Sequence, residues 1–266
     1  MRVYISNFKL RIMMLLQYRE AALAGMVTQF FWGFMLVFIY MALYSNGGIV
    51  SMSLEQIITY TWLHQAFYAF LNVRLSDKEI SESIRKGDVA YEIIRPYNLY
   101  YWWYIRTVCK RVAGGMLRFM PVIIISLLLP KPYGLSLPSS FLNFILFIIS
   151  LGLGCLIVSG LNMLVHTIGF YTYNEAGISS MLNTIMEFLA GQFVPVALLP
   201  MFLQKATYYL PFRLIGDLPF RVYSNNIEII EGLSLIGLQI IWLIILVLLG
   251  NYIVKKALNK VFIQGG

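Results

Sequence analysis

Apolar residues fall into six long runs separated by shorter polar or charged stretches. The runs cover about residues 21–43, 54–73, 112–129, 141–168, 178–203 and 233–254. An α-helix needs roughly 20 apolar residues to cross the hydrocarbon layer, so each run predicts one transmembrane helix. Turn signals punctuate them. Ser45-Asn46-Gly47-Gly48 follows the first run, and Pro130-Lys131-Pro132 ends the third. Ahead of the first run, residues 1–20 place Ile5, Phe8, Ile12, Leu15 and Leu16 at helical spacing, with Arg2, Lys9, Arg11 and Gln17 between them. That pattern predicts an amphipathic helix lying in the membrane interface. The fold class predicted is an all-α membrane protein forming one transmembrane domain over residues 1–266.

Composition agrees with lipid as the solvent. Hydrophobic residues make up 59% and charged residues 12%, with a mean hydropathy of +0.75. A soluble domain is nearer 45–50% apolar and about 25% charged. The net charge of +8 would point to nucleic acid in a soluble protein; here it marks cytoplasmic loops. Four Lys/Arg precede the first run (Arg2, Lys9, Arg11, Arg19), and eight lie between the second and third (Arg74, Lys78, Arg85, Lys86, Arg95, Arg106, Lys110, Arg111). Three more follow the last (Lys255, Lys256, Lys260), whereas the alternate loops hold four: Lys131, Lys205, Arg213 and Arg221. The asymmetry predicts six spans with both termini cytoplasmic. No cleavable leader pattern is visible. Cys109 and Cys155 have neither metal-ligand spacing nor the context of a disulfide.

Residues 74–111 are too polar to span and are predicted as a cytoplasmic loop. Within it Ile84, Arg85, Lys86, Gly87, Asp88, Tyr91, Glu92, Ile94 and Arg95 form a short amphipathic element around a glycine, stopped by Pro96. Ile80, Ile84, Tyr91 and Ile94 can share a face. The element is either a solvated loop on headgroups or a docking helix, with apolar anchors for a groove and charges for register. Tyr100-Tyr101-Trp102-Trp103-Tyr104 reads as an aromatic shelf at the cytoplasmic interface. The chain contains no G-x-x-x-x-G-K-[ST] phosphate loop.

Arg85-Lys86-Gly87-Asp88 followed by Ile93-Ile94-Arg95-Pro96 resembles the "Gly-acidic … Leu-Leu-Arg-Pro" element of bacterial ABC transporter permeases of the type-2 exporter class. Tyr18-Arg19, Pro211-Phe212 with Asp217-Leu218-Pro219, Lys255-Lys256-Ala257 and the closing Gln264-Gly265-Gly266 agree in order. Ile93-Ile94 replaces the more usual leucines. The resemblance implies two permeases, a second copy or a sister chain, paired with two ATPase subunits that carry ATP and magnesium. It implies that residues 84–95 are the coupling helix touching the ATPase, and that residues 1–20 are the connecting helix. Short re-entrant helices on the outer side before the last span are also implied, in a multi-pass protein of the bacterial plasma membrane.

Three other features bear on function. Pro195 and Pro200 interrupt the fifth run, which reads as a kinked span or as an outer gate with Pro211, Phe212 and Phe220 as its hydrophobic elements. Glu187 falls about nine residues into its run, roughly 14 Å deep, and serves either as a path or gate residue or as a structural hydrogen-bonding group. Glu175 is a further ionisable residue within a run; His64, His166 and Arg118 are explained by an interhelical bond, a wet boundary and snorkelling, and Asn162, Asn174 and Asn183 by interhelical bonding. No histidine cluster, nucleophile elbow or nucleic-acid surface is apparent. The expected function is an exporter permease for an amphipathic drug, lipid or peptide. The alternatives are a membrane-embedded lipid-modifying enzyme and an assembly protein without a path.

Overall fold

The computed structural model describes residues 2–15, 17, 19–47, 51–74, 77–172 and 175–259. Leu16, Tyr18, Gly48, Asn174, Lys260 and Gln264-Gly265-Gly266 lie outside the described residues, as do the side chains of Arg2, Leu15, Arg19 and Glu175. Among the described residues all regular structure is helical. In chain order the helices are α1 (Arg2–Leu15), α2 (Arg19–Ser45), α3 (Leu54–Leu71), α4 (Lys78–Lys86), α5 (Val89–Ile93) and α6 (Leu99–Met116). They continue as α7 (Phe119–Leu128), α8 (Phe141–Thr167), α9 (Glu175–Leu189), α10 (Met201–Thr207), α11 (Asp217–Tyr223) and α12 (Ile229–Leu258). Among the described residues four stretches are long and apolar enough to cross a membrane: Ala24–Ser45, Leu99–Leu128, Phe141–Phe170 and Ile229–Leu258.

α3 occupies the second apolar run but differs in kind from those four. Every residue from Ile57 to Phe67 is buried, on all sides of the helix. It therefore faces protein, which accommodates the polar side chains that lipid would reject. Thr61 donates to the Ile57 carbonyl at 2.8 Å, Thr59 accepts from the Ser136 amide at 3.2 Å, and Trp62 donates to the Tyr133 carbonyl at 2.7 Å. A capping box of Ser53 and Gln56 starts the helix. Its far end is buried, and side chains from two other elements satisfy its carbonyls. Arg111 of α6 donates to Asn72 O at 2.6 Å and to Phe70 O at 3.5 Å, and Gln192 donates to Leu71 O at 2.7 Å. A guanidinium at a helix C-terminus also complements the negative end of its dipole.

The third expected run is longer than its hydropathy indicates. α6 begins at Leu99, where the Asn98 side chain accepts from the Tyr101 amide at 3.3 Å. The latter part of the predicted 74–111 loop is thus helix, and Tyr100 and Trp103 of the expected aromatic shelf are buried. Hydropathy missed this because α6 turns its polar groups, Arg106, Thr107 and Arg111, into the protein. α6 breaks at Leu117-Arg118 before α7 resumes. Pro121 has no N–H for the Leu117 carbonyl, which accounts for the break.

The fifth expected run, 178–203, is likewise not one helix. α9 stops at Leu189, Gly191 adopts φ +74°, and Pro195 leads into a single 3₁₀ turn at Val196–Leu198. Only glycine takes that left-handed conformation freely. After α10 the chain turns inward. Leu214, Ile215, Leu218 and Phe220 are fully buried, and α11 packs against α8 and α3. Ile215 lies so close to the middle of α8 that a Cβ on Gly154 would fall 2.3 Å from its carbonyl oxygen. α12 packs along α8, and Gln239 of α12 donates to Ser150 O at 3.0 Å and Leu214 O at 2.8 Å.

α1 lies on α6. Phe8 and Ile12 are partly buried, whereas Ile5 is exposed together with Val3, Leu10, Met13 and Met14. Apolar side chains thus flank the face that meets α6 rather than forming one stripe.

Gly154→Ala is expected to destabilise the protein by about 1–3 kcal/mol, because the Ile215 backbone cannot yield as a flexible side chain would. Gly152→Ala, where nothing lies within 4 Å of the added Cβ, is expected to be neutral or stabilising. Thermal unfolding of both variants in one detergent checks this; equal melting temperatures would contradict the close packing.

Candidate functional site

Asp77 caps α4, its side chain accepting from the Glu79 amide at 3.1 Å. Gly87 ends α4 in the left-handed region at φ +80°, and its amide meets the Ile84 carbonyl at 3.4 Å. Nothing lies within 4 Å of a Cβ at Gly87, so glycine stands there for backbone conformation rather than space. α5 follows immediately. The two helices therefore form a bent pair, not one continuous helix.

The pair has a distinct inner face. Ile80 and Val89 are buried with Leu99, Tyr100 and Trp103 of α6, Met163 of α8 and Val254 of α12, and Ile84 packs on the same cluster. Glu92 is also turned inward: Ser83 donates to its Oε1 at 3.1 Å, and Trp103 Nε1 donates to its Oε2 at 2.8 Å. The outer face carries Arg85, Lys86, Gly87, Asp88, Tyr91, Ile94 and Arg95, all exposed. Tyr91 is 71% and Ile94 81% exposed. The four apolar residues that helical spacing grouped on one face thus divide. Ile80 and Ile84 anchor the pair, and Tyr91 and Ile94 project from it. The Gly87 bend rotates α5 relative to α4 and so separates them.

A buried ion pair fixes this arrangement. Arg106 of α6 donates through Nε to Asp77 Oδ2 at 2.5 Å and through Nη2 to Asp77 Oδ1 at 3.1 Å. Its guanidinium also binds the Glu79 carboxylate. Asp77 and Arg106 side chains are 7% and 9% exposed. His166, at the end of α8, accepts from the Asp77 amide through Nε2 at 3.4 Å, and its Nδ1 lies 3.0 Å from Ser81 Oγ. This network assigns the proton to Nδ1, donating to Ser81. Burial alone would raise the Asp77 carboxyl, but the Arg106 charge and hydrogen bonds outweigh it and hold the carboxyl below its ordinary value. Sequence reasoning did not single out Asp77 and placed Arg106 among loop charges. The local signal present was Asp77-Lys78-Glu79 as a helix start; the pairing with Arg106 has no linear signature.

Glu187 of α9 is buried and paired. Arg74, just past the end of α3, donates to its Oε2 at 2.6 Å and to Thr184 Oγ1 at 2.9 Å. Toward the other end of the protein, Asp217 is fully buried. It accepts from the Val196 amide at 3.0 Å, and from Tyr60 OH and Arg221 Nη1 at 3.5 Å each. Phe220 stands edge-on to Tyr60 with ring centroids 5.3 Å apart. Pro195 and Pro211 are buried, Phe212 is half-buried and Pro200 is exposed. Asp217 therefore ties together α3, the segment after α9 and α11. The α4–α5 face, Glu187 and the Asp217 cluster are separate places in the fold. Among the described residues no three His, Cys, Asp or Glu side chains gather as metal ligands would.

Residues 30–265 match the family described as ABC-2 family transporter protein, and the chain belongs to that family. No curated protein matches it. Membership makes this a multi-pass membrane protein with the role of a transport permease, and implies partnership with an ABC ATPase.

Arg106→Leu leaves Asp77 buried without its counter-charge. It is expected to cost about 3 kcal/mol of local stability, which is roughly hundredfold faster amide exchange in α4 and α5. The Asp77 contribution is complete above its ordinary pKa of 3.8. It is lost as pH falls below that value towards the lower folded one. Exchange in α4 of the parent protein should therefore rise on acidification through this range and stay pH-insensitive in Asp77→Asn, after correction for intrinsic rates. Unchanged exchange in Arg106→Leu would contradict the anchoring.

Proposed function

We propose that this member of the ABC-2 transporter family is the permease of an exporter whose α4–α5 pair is the coupling element for a separate ATPase. The carrying observation is the combination at that pair. Its inner face is fixed to three membrane helices by Arg106–Asp77, Glu92–Trp103 and the Ile80–Val89 cluster. Its outer face offers two apolar tips, Tyr91 and Ile94, among Arg85, Lys86, Asp88 and Arg95. Apolar anchors ringed by charge fit a groove on a partner. A rigid inner attachment passes displacement of those anchors to α6, α8 and α12. On this reading Ile84 and Glu92 shape the element, and Arg85, Lys86, Gly87, Asp88, Tyr91, Ile94 and Arg95 meet the ATPase.

The topology that goes with this has six crossings. α3 and α9 join the four long apolar helices, α3 as a central helix lined by protein. Both termini and α4–α5 are then cytoplasmic, as the Lys/Arg asymmetry favours, and α1 is an interfacial helix leaning on α6. α10 and α11 are re-entrant from the outer side, with Pro195, Pro200, Pro211, Phe212 and Phe220 around an outer gate held by Asp217. Glu187, paired with Arg74, lies between that region and the cytoplasmic end of α3. Two permeases, identical or sister chains, assemble with two ATPase subunits that bind ATP and magnesium. The location is the bacterial plasma membrane, and the substrate is amphipathic: a drug, a lipid or a peptide.

Replacing Tyr91 and Ile94 together by Ala is expected to weaken ATPase binding at least tenfold, the loss typical of removing interface anchors. The melting temperature should be unchanged, because both side chains are exposed. Co-purification with a candidate ATPase, and the ATPase rate of the reconstituted complex, measure this. Full binding and full turnover by the double variant would refute the coupling assignment.

A further inference from the structure

α9 touches the rest of the protein unevenly along its length. Among its described side chains only Met186 and Glu187 are buried, while Ile178, Met181, Ile185 and Phe188 are exposed. Its start rests on a 3₁₀ turn at Ile168–Phe170 that also packs on α4. Its far end is fastened by polar side chains to the C-terminal end of α3. Arg74 donates to Glu187 Oε2 at 2.6 Å and to Thr184 Oγ1 at 2.9 Å, and Gln192, just beyond α9, donates to Leu71 O at 2.7 Å. Arg74 supplies the only charge-assisted contact among these, and such bonds are about twice as strong as neutral ones.

The end of α3 is itself tied to the α4–α5 pair. Arg111 of α6 holds Asn72 O and Phe70 O. The Arg74 amide donates to Asn72 Oδ1 at 2.8 Å. Three residues after Arg74 comes Asp77, which caps α4 and binds Arg106 of α6. Arg74 thus stands between α9 on one side and an attached body of α3, α4–α5 and α6 on the other. The pair is also asymmetric. The Glu187 side chain is 4% exposed and the Arg74 side chain 45%. Water can solvate the arginine, but the buried carboxylate depends on its cation, because an unpaired buried charge is costly. When Arg74 shifts, Glu187 therefore follows it rather than lose its counter-charge.

We propose that Arg74 is a positioning residue for transport: through Glu187 it carries displacement of the α4–α5 pair to the C-terminal half of α9. Glu187 is then the grip by which α9 is moved. The proposal rests on the reading of α4–α5 as the coupling element, whereas the attachment of α9 through Arg74 can be tested without a partner.

The test is hydrogen-exchange mass spectrometry of the full chain in nanodiscs, alone and with its candidate ATPase trapped by ATP and vanadate. Alone, Arg74→Gln should exchange at least about tenfold faster than the parent over residues 182–189, with α4–α5 unchanged. With the trapped ATPase, the parent is expected to change exchange both in α4–α5 and over residues 182–189. Arg74→Gln should keep the first response and lose the second. Glu187→Gln should do the same and add nothing when combined with Arg74→Gln, as two members of one pair behave. It also provides a second removal should Arg74→Gln not fold, as judged by its melting curve. Lys131→Gln removes the exposed cation paired with Glu55 and should leave both responses intact. Equal exchange of the parent and Arg74→Gln without the partner would overturn the proposal. So would a faster α9 that still responds to the trapped ATPase, the behaviour of a merely stabilising ion pair. A parent whose α4–α5 segment does not respond to the ATPase would instead overturn the coupling reading, and this proposal with it.

Discussion

Arg106 and Asp77 form a largely buried bidentate ion pair at the junction between the membrane helices and the α4–α5 segment. Buried charge is tolerated only when paired and hydrogen-bonded. Once Arg106 is built into α6, Asp77 must meet it, and Asp77 in turn dictates where α4 begins by capping it. His166 extends the same junction to α8 through the Asp77 amide and Ser81. Three elements distant in sequence are thereby held at one point. The outward direction of Tyr91 and Ile94 follows, because the inner face of α4–α5 is already committed to Trp103, Tyr100 and Met163.

A second arginine of α6 solves a related problem. α3 ends inside the protein, so its last carbonyls need donors that water cannot supply. Arg111 and Gln192 provide them. The same burial lets α3 carry Thr59, Tyr60, His64 and Gln65 through the centre of the bundle. Most of these polar groups are engaged within the protein.

Helix content and the positions of most elements were legible in the chain, because lipid-facing helices must be apolar along their length. α2, α8 and α12 show this directly, and the Gly87 stop and Pro96 boundary of the α4–α5 segment are local chemistry. The misjudged elements are those whose polar groups face protein. α6 begins at Leu99 rather than near 112, because Arg106 and Arg111 lower its hydropathy while pointing inward. The run at 178–203, which Pro195 and Pro200 already mark as interrupted, breaks earlier than those prolines, at Gly191 in the left-handed region. Within the candidate site, the exposed residues could be listed from sequence, but the division between Ile80 and Ile84 inside and Tyr91 and Ile94 outside could not. It depends on the bend at Gly87 and on Arg106, which lies far along the chain.

The central claim is that the outer face of α4–α5, and not its inner face, meets an ATPase. Site-specific photo-crosslinking tests it most directly, with a photoreactive residue placed in turn at positions 80, 91 and 94 of the membrane-embedded chain co-expressed with its candidate ATPase. The account predicts crosslinks to the ATPase from positions 91 and 94, and from position 80 only crosslinks within the chain. ATPase crosslinks from position 80, or none from 91 and 94 in a complex that still co-purifies, would contradict it.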